Sequence, residues 1–432
     1  MKFLIKILSL LAALSMLLAA CGGAPAPTDV SVTESVELIE ELVETQIPIS
    51  EGDMKTLVDG NNAFAVDIFQ SLRAGDGNLV LSPYSISLAL AMTYAGARGE
   101  TESQMMETLH FTQGQGATHP SFNMLGAELA QRGEAGSKDG QPMQLNIVNS
   151  IWAERAFTFD KQFLNLVSTS YGAGIRFTNF ITQYEDARRE INAWVSDETN
   201  GRIQDLLAEG IIDSMTRMAL VNAIYFKANW LEPFDERSTS NASFHLLDGS
   251  RVTVPTMHKQ VTASYASGDG CQALELAYAG ETAAMDIIVP DEGNYEAFES
   301  ALSIGQLNKI LGGMKPTTVM LGLPKFGYAA DFALADTLET MGMPDAFDMD
   351  KADFSGMTGG RDLYISTVVH KAFVSIDEKG TEAAAATAVI MSLRGAFKSE
   401  VTLNVDRPFI FVVRDLPSGQ ILFIGRVLDP SK

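Results

Sequence analysis

The side chains able to do chemistry in this chain are few and badly placed for it. Its five histidines, His110, His119, His245, His258 and His370, share no metal-ligand spacing, and no H-E-x-x-H occurs. A Gly-x-Ser-x-Gly nucleophile elbow is absent; the nearest segment, Gly356-Met357-Thr358-Gly359-Gly360, lacks the strand-turn-helix setting such an elbow requires. Neither a P-loop nor a dinucleotide-binding G-x-G-x-x-G is present. The two cysteines, Cys21 and Cys271, are too few for a disulfide framework and form no C-x-x-C pair for zinc. Cys271, followed by Leu274, Leu276 and Ala277 in an alternating segment, reads as a small buried hydrophobe. In a chain with 54 Asp and Glu residues, carboxylate pairs discriminate nothing, and most must be solvated surface. No enzyme, metal site or cofactor is expected on these grounds. A signal-bearing chain of this kind is most simply a solute-binding or surface interaction protein.

Cys21 has a chemistry of its own. Lys2 and Lys6 make a basic start, Ile7 to Leu18 an apolar stretch too short to span a membrane, and Leu18-Ala19-Ala20-Cys21 a small-residue cleavage site ending in a thiol. The pattern resembles the bacterial lipobox, in which the thiol is acylated and becomes the new amino terminus. Residues 1–20 are then a lipoprotein signal peptide and Cys21 the lipidation site. The plainer alternative is an ordinary secretory signal with an incidental cysteine. The expected location is extracytoplasmic, lipid-anchored to a bacterial membrane at the cell surface or the periplasmic face. From Gly22 to Met54 every charge is negative, and Pro25, Pro27 and Pro48 punctuate the run. Such a segment cannot bury enough apolar surface to offset its ordering entropy. Residues 21–57 are therefore expected to be an acidic tether, although Val32, Val36, Ile39 and Val43 would share one face of a helix. As a coil it reaches on the order of 30 Å, and anionic lipid repels it.

The elements that must position any site come next. The chain has 432 residues, 54 acidic against 31 basic side chains, a formal charge of −23 and 46% hydrophobic residues; its mean hydropathy is +0.07. These values exclude wholesale disorder, and 36 Gly and 15 Pro without a repeat exclude a fibrous chain. The charge argues against nucleic acid, because phosphate binding needs a local surplus of Lys and Arg, and no basic run exists. It favours a solvated monomer. No linker divides residues 58–432, so one domain is expected there. Helical signals crowd its first half: Ser82-Pro83 reads as an N-cap with proline in the first turn, and Thr101-Glu102-Ser103-Gln104 as a capping box opening the next helix. Strand signals dominate the second half, at 286–290, 318–323, 363–377 and 401–405. Pro408 to Arg414 and Gln420 to Val427 read as a terminal hairpin. Helices first and strands later predict an α+β fold.

Residues 377–395 are odd on physical grounds. After a strong strand, Ala372 to Ile376, comes a charged turn and then an alanine run that propensity assigns to a helix. At a period of two, however, one face carries Thr381, Ala383, Ala385, Thr387, Val389 and Met391, all uncharged and mostly small. Glu382 is the only charge on the other. Such a segment can slip between two existing strands, since its inward face has nothing to desolvate. From Gly380 to Arg394 it spans at most about 50 Å when extended.

The segment resembles the reactive-centre loop of the serpins, a family of serine protease inhibitors, preceded by the hinge pattern Glu378-Lys379-Gly380-Thr381-Glu382-Ala383-Ala384-Ala385. Leu403-Asn404-Val405-Asp406-Arg407-Pro408-Phe409-Ile410-Phe411 resembles the family's C-terminal signature, and Asn78 to Ile86 the entry to its second helix. Leu220 to Lys227, with Trp230 and Pro233-Phe234, resembles the strand and turn near the top of the large sheet. Leu323-Pro324-Lys325-Phe326 and Val369-His370-Lys371-Ala372 complete a set that runs in serpin order over residues 58–432.

The resemblance implies an α+β serpin fold of about nine helices and three β-sheets, with the loop exposed above a five-stranded sheet. It implies an inhibitor that acts as a suicide substrate, not an enzyme. A protease cleaves the loop, the hinge inserts as an extra strand, and the acyl-enzyme is trapped before hydrolysis. The family's spacing places the scissile bond at Arg394–Gly395, with Lys398 and Met391 as competing baits. Arginine there implies a trypsin-like target. Glu378, Gly380, Thr381, Glu382, Ala383, Ala384, Ala385 and Ala386 form the hinge. Ser82, Ser85, Asn222 and His370 resemble the hydrogen-bonding shutter where strands part, and Trp230 the breach where the loop enters; all five are structural. No heparin-type cofactor is expected, because residues 101–136 lack a basic cluster. The alternative is a non-inhibitory surface-binding lipoprotein on the same scaffold.

Overall fold

The computed structural model describes residues 50–135, 143–172, 175–199, 201, 203–381 and 401–432. Ser50 opens α1 (Glu51–Leu72): its hydroxyl accepts from the Asp53 amide at 3.2 Å, and the Asp53 carboxylate accepts in return from the Ser50 amide at 2.9 Å. This capping box lies inside the segment expected to be tether, so the helix starts before residue 58. Leu57, Val58, Phe64, Ile68 and Phe69 give it a buried face that the preceding acidic run lacks. After β1 (Leu79–Leu81), Ser82 caps α2 (Pro83–Tyr94) as expected, with proline in the first turn. Every residue of α2 except Leu88 is buried, as a helix apolar all round must be. The Thr101 capping box does not form. In α3 (Gly99–Thr108) Thr101 is already inside the helix, and its hydroxyl accepts instead from the Asp353 amide at 3.0 Å.

Then follow α4 (Gly114–Ala135), β2 (Gln144–Glu154), α5 (Lys161–Tyr171), β3 (Ile175–Thr178), α6 (Phe180–Glu198) and β4 (Met218–Asn229). The strand-rich half contains β5 (Ser240–His245), β6 (Arg251–Gly268), β7 (Cys271–Ala277), β8 (Ala283–Pro290), α7 (Tyr295–Ala301), α8 (Ile304–Gly313), β9 (Lys315–Pro324) and β10 (Phe326–Ala333). The chain ends with α9 (Ala335–Met341), α10 (Ser355–Thr358), β11 (Thr367–Ile376), β12 (Gly380–Thr381), β13 (Val401–Asn404) and the hairpin β14 (Phe409–Asp415) and β15 (Ile421–Val427). The described residues thus form an α+β fold with ten α-helices.

The strands join in two hydrogen-bonded networks. One has nine strands, in the order β1-β15-β14-β8-β7-β6-β9-β13 with β5 on β6. Two of the three expected sheets are continuous in it because β6 is 18 residues long: it pairs β5 and β9 over most of its length and β7 at its end. The other network has the order β10-β11-β12-β4-β2-β3. Within it β4 and β11 pair directly and in parallel from Ala219–Thr367 to Ile224–Ala372, and further along β12 stands between them. The two strands therefore make a fork, closed at its base and opened by two residues at its tip. Helix α6 lies over this sheet through Ala187, Ile191 and Val195, which pack with Ala219, Val221 and Val369. Helix α2 packs against β2, β4 and β15.

Candidate functional site

The tip of the fork is built around Gly380 and Thr381. Gly380 pairs with Asn229 and Thr381 with Ala228 on one side, and Thr381 with Ile376 on the other. The φ of Gly380 is +156°. A Cβ there would collide with the carbonyl oxygen of Ala228 and stand 2.7 Å from Asn229 Cα. Only glycine fits this close approach. Thr381 is buried, and its hydroxyl pairs with the Tyr278 hydroxyl at 2.7 Å. The first inward residue of the alternating segment is thus already seated between the strands.

The turn before the slot is fastened from three directions. Asp377 accepts from the amides of Lys379 at 2.8 Å and Gly380 at 3.3 Å. The Trp230 amide donates to the Lys379 carbonyl at 2.8 Å, its indole Nε1 to the Asp377 carbonyl at 3.0 Å, and the Phe234 amide to the Glu378 carbonyl at 2.8 Å. Trp230 stacks on Tyr278 with ring centroids 4.7 Å apart and planes 6° from parallel. The Glu378 carboxylate accepts from Lys325 Nζ and Thr239 Oγ1, each at 2.7 Å. Burial pushes the Glu378 carboxyl up, but these hydrogen bonds and the Lys325 charge outweigh it and hold its pKa below the usual value.

At the base of the fork a buried polar network bolts the two strands together. Asn222 of β4 stands opposite both His370 of β11 and Asn149 of β2. The Ser82 amide donates to His370 Nε2 at 3.1 Å, so that nitrogen carries the lone pair and Nδ1 carries the proton, which it donates to Asn222 Oδ1. Asn222 Nδ2 donates to Ser85 Oγ at 2.6 Å and Asn149 Oδ1 at 2.5 Å; Ser85 Oγ donates to Asn149 Oδ1 at 3.2 Å. Complete burial pushes the His370 pKa down to about 3, so the ring is neutral at physiological pH. A strand entering between β4 and β11 must break the bond from His370 to Asn222.

The described residues therefore bring together Ser82, Ser85, Asn222 and His370 at the base, and Trp230, Glu378, Gly380 and Thr381 at the tip. Glu382, Ala383 to Ala386, Arg394, Gly395 and Cys21 lie outside the described residues. Sequence reasoning missed Asn149, Tyr278 and Thr239, and gave Lys325 no role. Cys271 is buried and unpaired, and its burial pushes the thiol up to about 11. Among the described residues no group of His, Cys, Asp and Glu is arranged to hold a metal.

The family model for serpins, serine protease inhibitors, matches residues 59–430. The chain belongs to the serpin family. A serpin-like protein of Thermococcus kodakarensis is 40% identical over 385 residues, 89% of this chain and 88% of that relative. The human leukocyte elastase inhibitor is 38% identical over 391 residues, 87% of this chain and all of the inhibitor, so this serpin is homologous to leukocyte elastase inhibitors. Among solved structures, the thermophilic serpin tengpin in its native state matches with a TM-score of 0.79 at 30% identity, covering 89% of this chain and 96% of tengpin. Human thyroxine-binding globulin complexed with thyroxine matches with a TM-score of 0.78 at 31% identity, over 88% of this chain and all of the globulin. Serpins are protease inhibitors and not enzymes, which accounts for a body of this size without a catalytic constellation.

Proposed function

We propose that this serpin inhibits trypsin-like serine proteases as a suicide substrate, with Arg394–Gly395 as the bond attacked. The observation that carries the reading is Thr381: it sits buried between β11 and β4, and the segment that follows in sequence continues the same small, uncharged inward face. After cleavage that face lengthens β12 down the fork and drags the acylated protease with it. The completed sheet supplies the driving force, because each inserted residue gains ladder hydrogen bonds and buries surface. The His370–Asn222 gate supplies the delay. Arg394 fits a protease pocket with an acidic base.

Incubating the protein with trypsin tests this. The expected product is a covalent complex stable to denaturant, together with a short C-terminal fragment beginning at Gly395. Rapid cleavage without a complex, or a fragment beginning elsewhere, refutes the reading. A second reading, a ligand-binding serpin that does not inhibit, draws on the likeness to thyroxine-binding globulin complexed with thyroxine. Loop cleavage that leaves the melting temperature unchanged favours that second reading, since no strand has then inserted.

The same proposal includes a lipid anchor at Cys21 on an extracytoplasmic membrane surface, supported by the basic, apolar and small-residue pattern of residues 1–21. Expression in a bacterium with labelled palmitate should label the wild-type chain and leave Cys21→Ser unlabelled in the soluble fraction. Equal labelling of the two removes the anchor.

A further inference from the structure

The base of the fork ends in a surface that the fold leaves hydrophobic. Among the described residues nine large hydrophobic side chains are exposed, and five of them stand here: Phe177 near the end of β3, Ile181 and Tyr184 in the first turns of α6, and Ile211 and Met215 in the connection from α6 to β4. Their places are fixed. Glu154, buried at the end of β2, joins the two segments: its amide donates to the Arg217 carbonyl at 3.0 Å, and its carboxylate accepts from the amides of Phe180 at 2.8 Å and Ile181 at 3.2 Å. The Tyr364 hydroxyl donates to the Met215 carbonyl at 2.8 Å. Exposed hydrophobic side chains gathered on a rigid frame, in a chain of formal charge −23, mark a surface kept for a partner.

The ladder of β12 says what arrives there. Thr381 pairs with Ala228 of β4 and with Ile376 of β11, antiparallel to both. Continued in that register, the rungs run down the fork until residue 390 stands beside Thr367, the first of β11, and residue 391 beside Met218, the first of β4. Arg394 then lies three residues beyond the end of the sheet, opposite Met215 in the same count. Three extended residues span about 10 Å. A globular domain of about 200 residues has a radius of gyration of about 16 Å, so a protease held by an ester at Arg394 cannot hang clear of the sheet end. Its body must meet the surface that carries the five side chains.

We propose that the five side chains form a landing surface for the acylated protease, and that burying them against it prolongs the trap. The proposal rests on the loop-insertion reading. Escape requires water to hydrolyse the ester between the Arg394 carbonyl and the protease serine, leaving a carboxylate on Arg394 and a free hydroxyl on the serine. That step needs the protease's own catalytic groups in place. Contacts made only at the base favour the displaced position over one in which the protease swings on its leash and reassembles those groups. Insertion delivers the protease, and the surface holds it. Before insertion β12 ends at Thr381, at the other end of the fork, and brings no partner to the base.

The test follows oxidation of the exposed Met215 by hydrogen peroxide, read by peptide mass spectrometry, in three states of the full chain. These are the uncleaved chain, its denaturant-stable complex with trypsin, and the cleaved chain released as that complex decays. Met320 on β9, exposed and in the other network, is the reference. The expected result is slowed oxidation of Met215 in the complex alone, with Met320 unchanged. A double variant, Ile181→Glu with Met215→Glu, should release active trypsin about tenfold sooner, the effect of about 1.4 kcal/mol. Equal oxidation in all three states overturns the landing surface. So does protection in the cleaved chain, which assigns the cover to the inserted strand, or protection of the uncleaved chain that grows with its concentration, which assigns it to a second copy. An unchanged lifetime, in a double variant whose cleavage still raises the melting temperature, overturns the role in the trap. If trypsin forms no complex, the inhibitor reading fails and the landing surface with it; a complex with Met215 still open fails the landing surface alone.

Discussion

Gly380→Ala tests the slot most directly. In the folded protein the new methyl collides with the Ala228 carbonyl oxygen and lies 2.7 Å from Asn229 Cα, both on the β4 backbone, which cannot yield without breaking the fork. The least costly response is expulsion of β12. That forfeits its pairings with Asn229, Ala228 and Ile376 and the hydrogen bond from Thr381 to Tyr278. Counting one hydrogen bond for each of these four contacts at about 1 kcal/mol net, the loss comes to about 4 kcal/mol. Unfolding entropy of about 2.1 cal/mol/K per residue, summed over residues 58–432, converts this to a fall of about 5 °C in Tm. Insertion after cleavage must seat residue 380 in the same place, so more of the variant should be consumed per trapped trypsin molecule. The assays are a melt at fixed scan rate, hydrogen exchange over residues 376–381, and the stoichiometry of inhibition. Unchanged protection of those amides together with unchanged stoichiometry refutes the account of the slot.

Thr381→Arg should be cleaved by trypsin at the wild-type rate yet fail to trap it, because a guanidinium would have to lie against Tyr278 inside the sheet; a full yield of complex on a gel contradicts this. Glu378→Lys sets a second cation beside Lys325 and strands the Thr239 hydroxyl, so the guanidinium chloride midpoint should fall by the equivalent of about 3 kcal/mol. His370 is neutral in the native state down to about pH 3 and protonates near 6.5 when unfolded, so its contribution is whole above 6.5 and is lost as the pH falls through that window. Wild type should then lose about 1.4 kcal/mol per pH unit more than His370→Gln between pH 6 and 4, and parallel urea-unfolding profiles would contradict the buried neutral ring. Arg394→Glu should abolish recognition by trypsin, as measured by cleavage of the loop.

The features legible in the sequence are those carried by short contiguous patterns. Ser82-Pro83 announces a helix start with local chemistry alone, and the terminal hairpin is written in two apolar runs around a Pro-Ser-Gly turn. Of the hinge, Glu378, Gly380 and Thr381 lie within the described residues, and Thr381, which opens the alternating face, is buried between two strands. Asn149 was not: in Gln144–Glu154 it reads as one more polar residue of a half-buried strand, and nothing local reveals the pairing with Asn222, 73 positions away. Tyr278 was hidden in the same way, since its partner Thr381 is 103 positions distant. Thr101 shows the opposite failure: a correct local signal for a capping box lost to a donor 252 positions away, Asp353. Helix α1 starts earlier than the composition of the acidic run suggests, because the Ser50–Asp53 box and the apolar residues from Leu57 onward belong to the body.

The groups that fasten Thr381 and the turn before it all lie outside the segment proposed as bait. Tyr278 comes from the turn between β7 and β8, Trp230 from the end of β4, and Lys325 from the corner between β9 and β10. On the proposed function, timing and target choice are thereby written in separate stretches of the gene. On that reading, substitutions near residue 394 would retune the bait toward a new protease without disturbing the latch, and a change such as Tyr278→Phe would alter the latch without altering the bait. A lineage facing changing proteases can explore one property while selection holds the other.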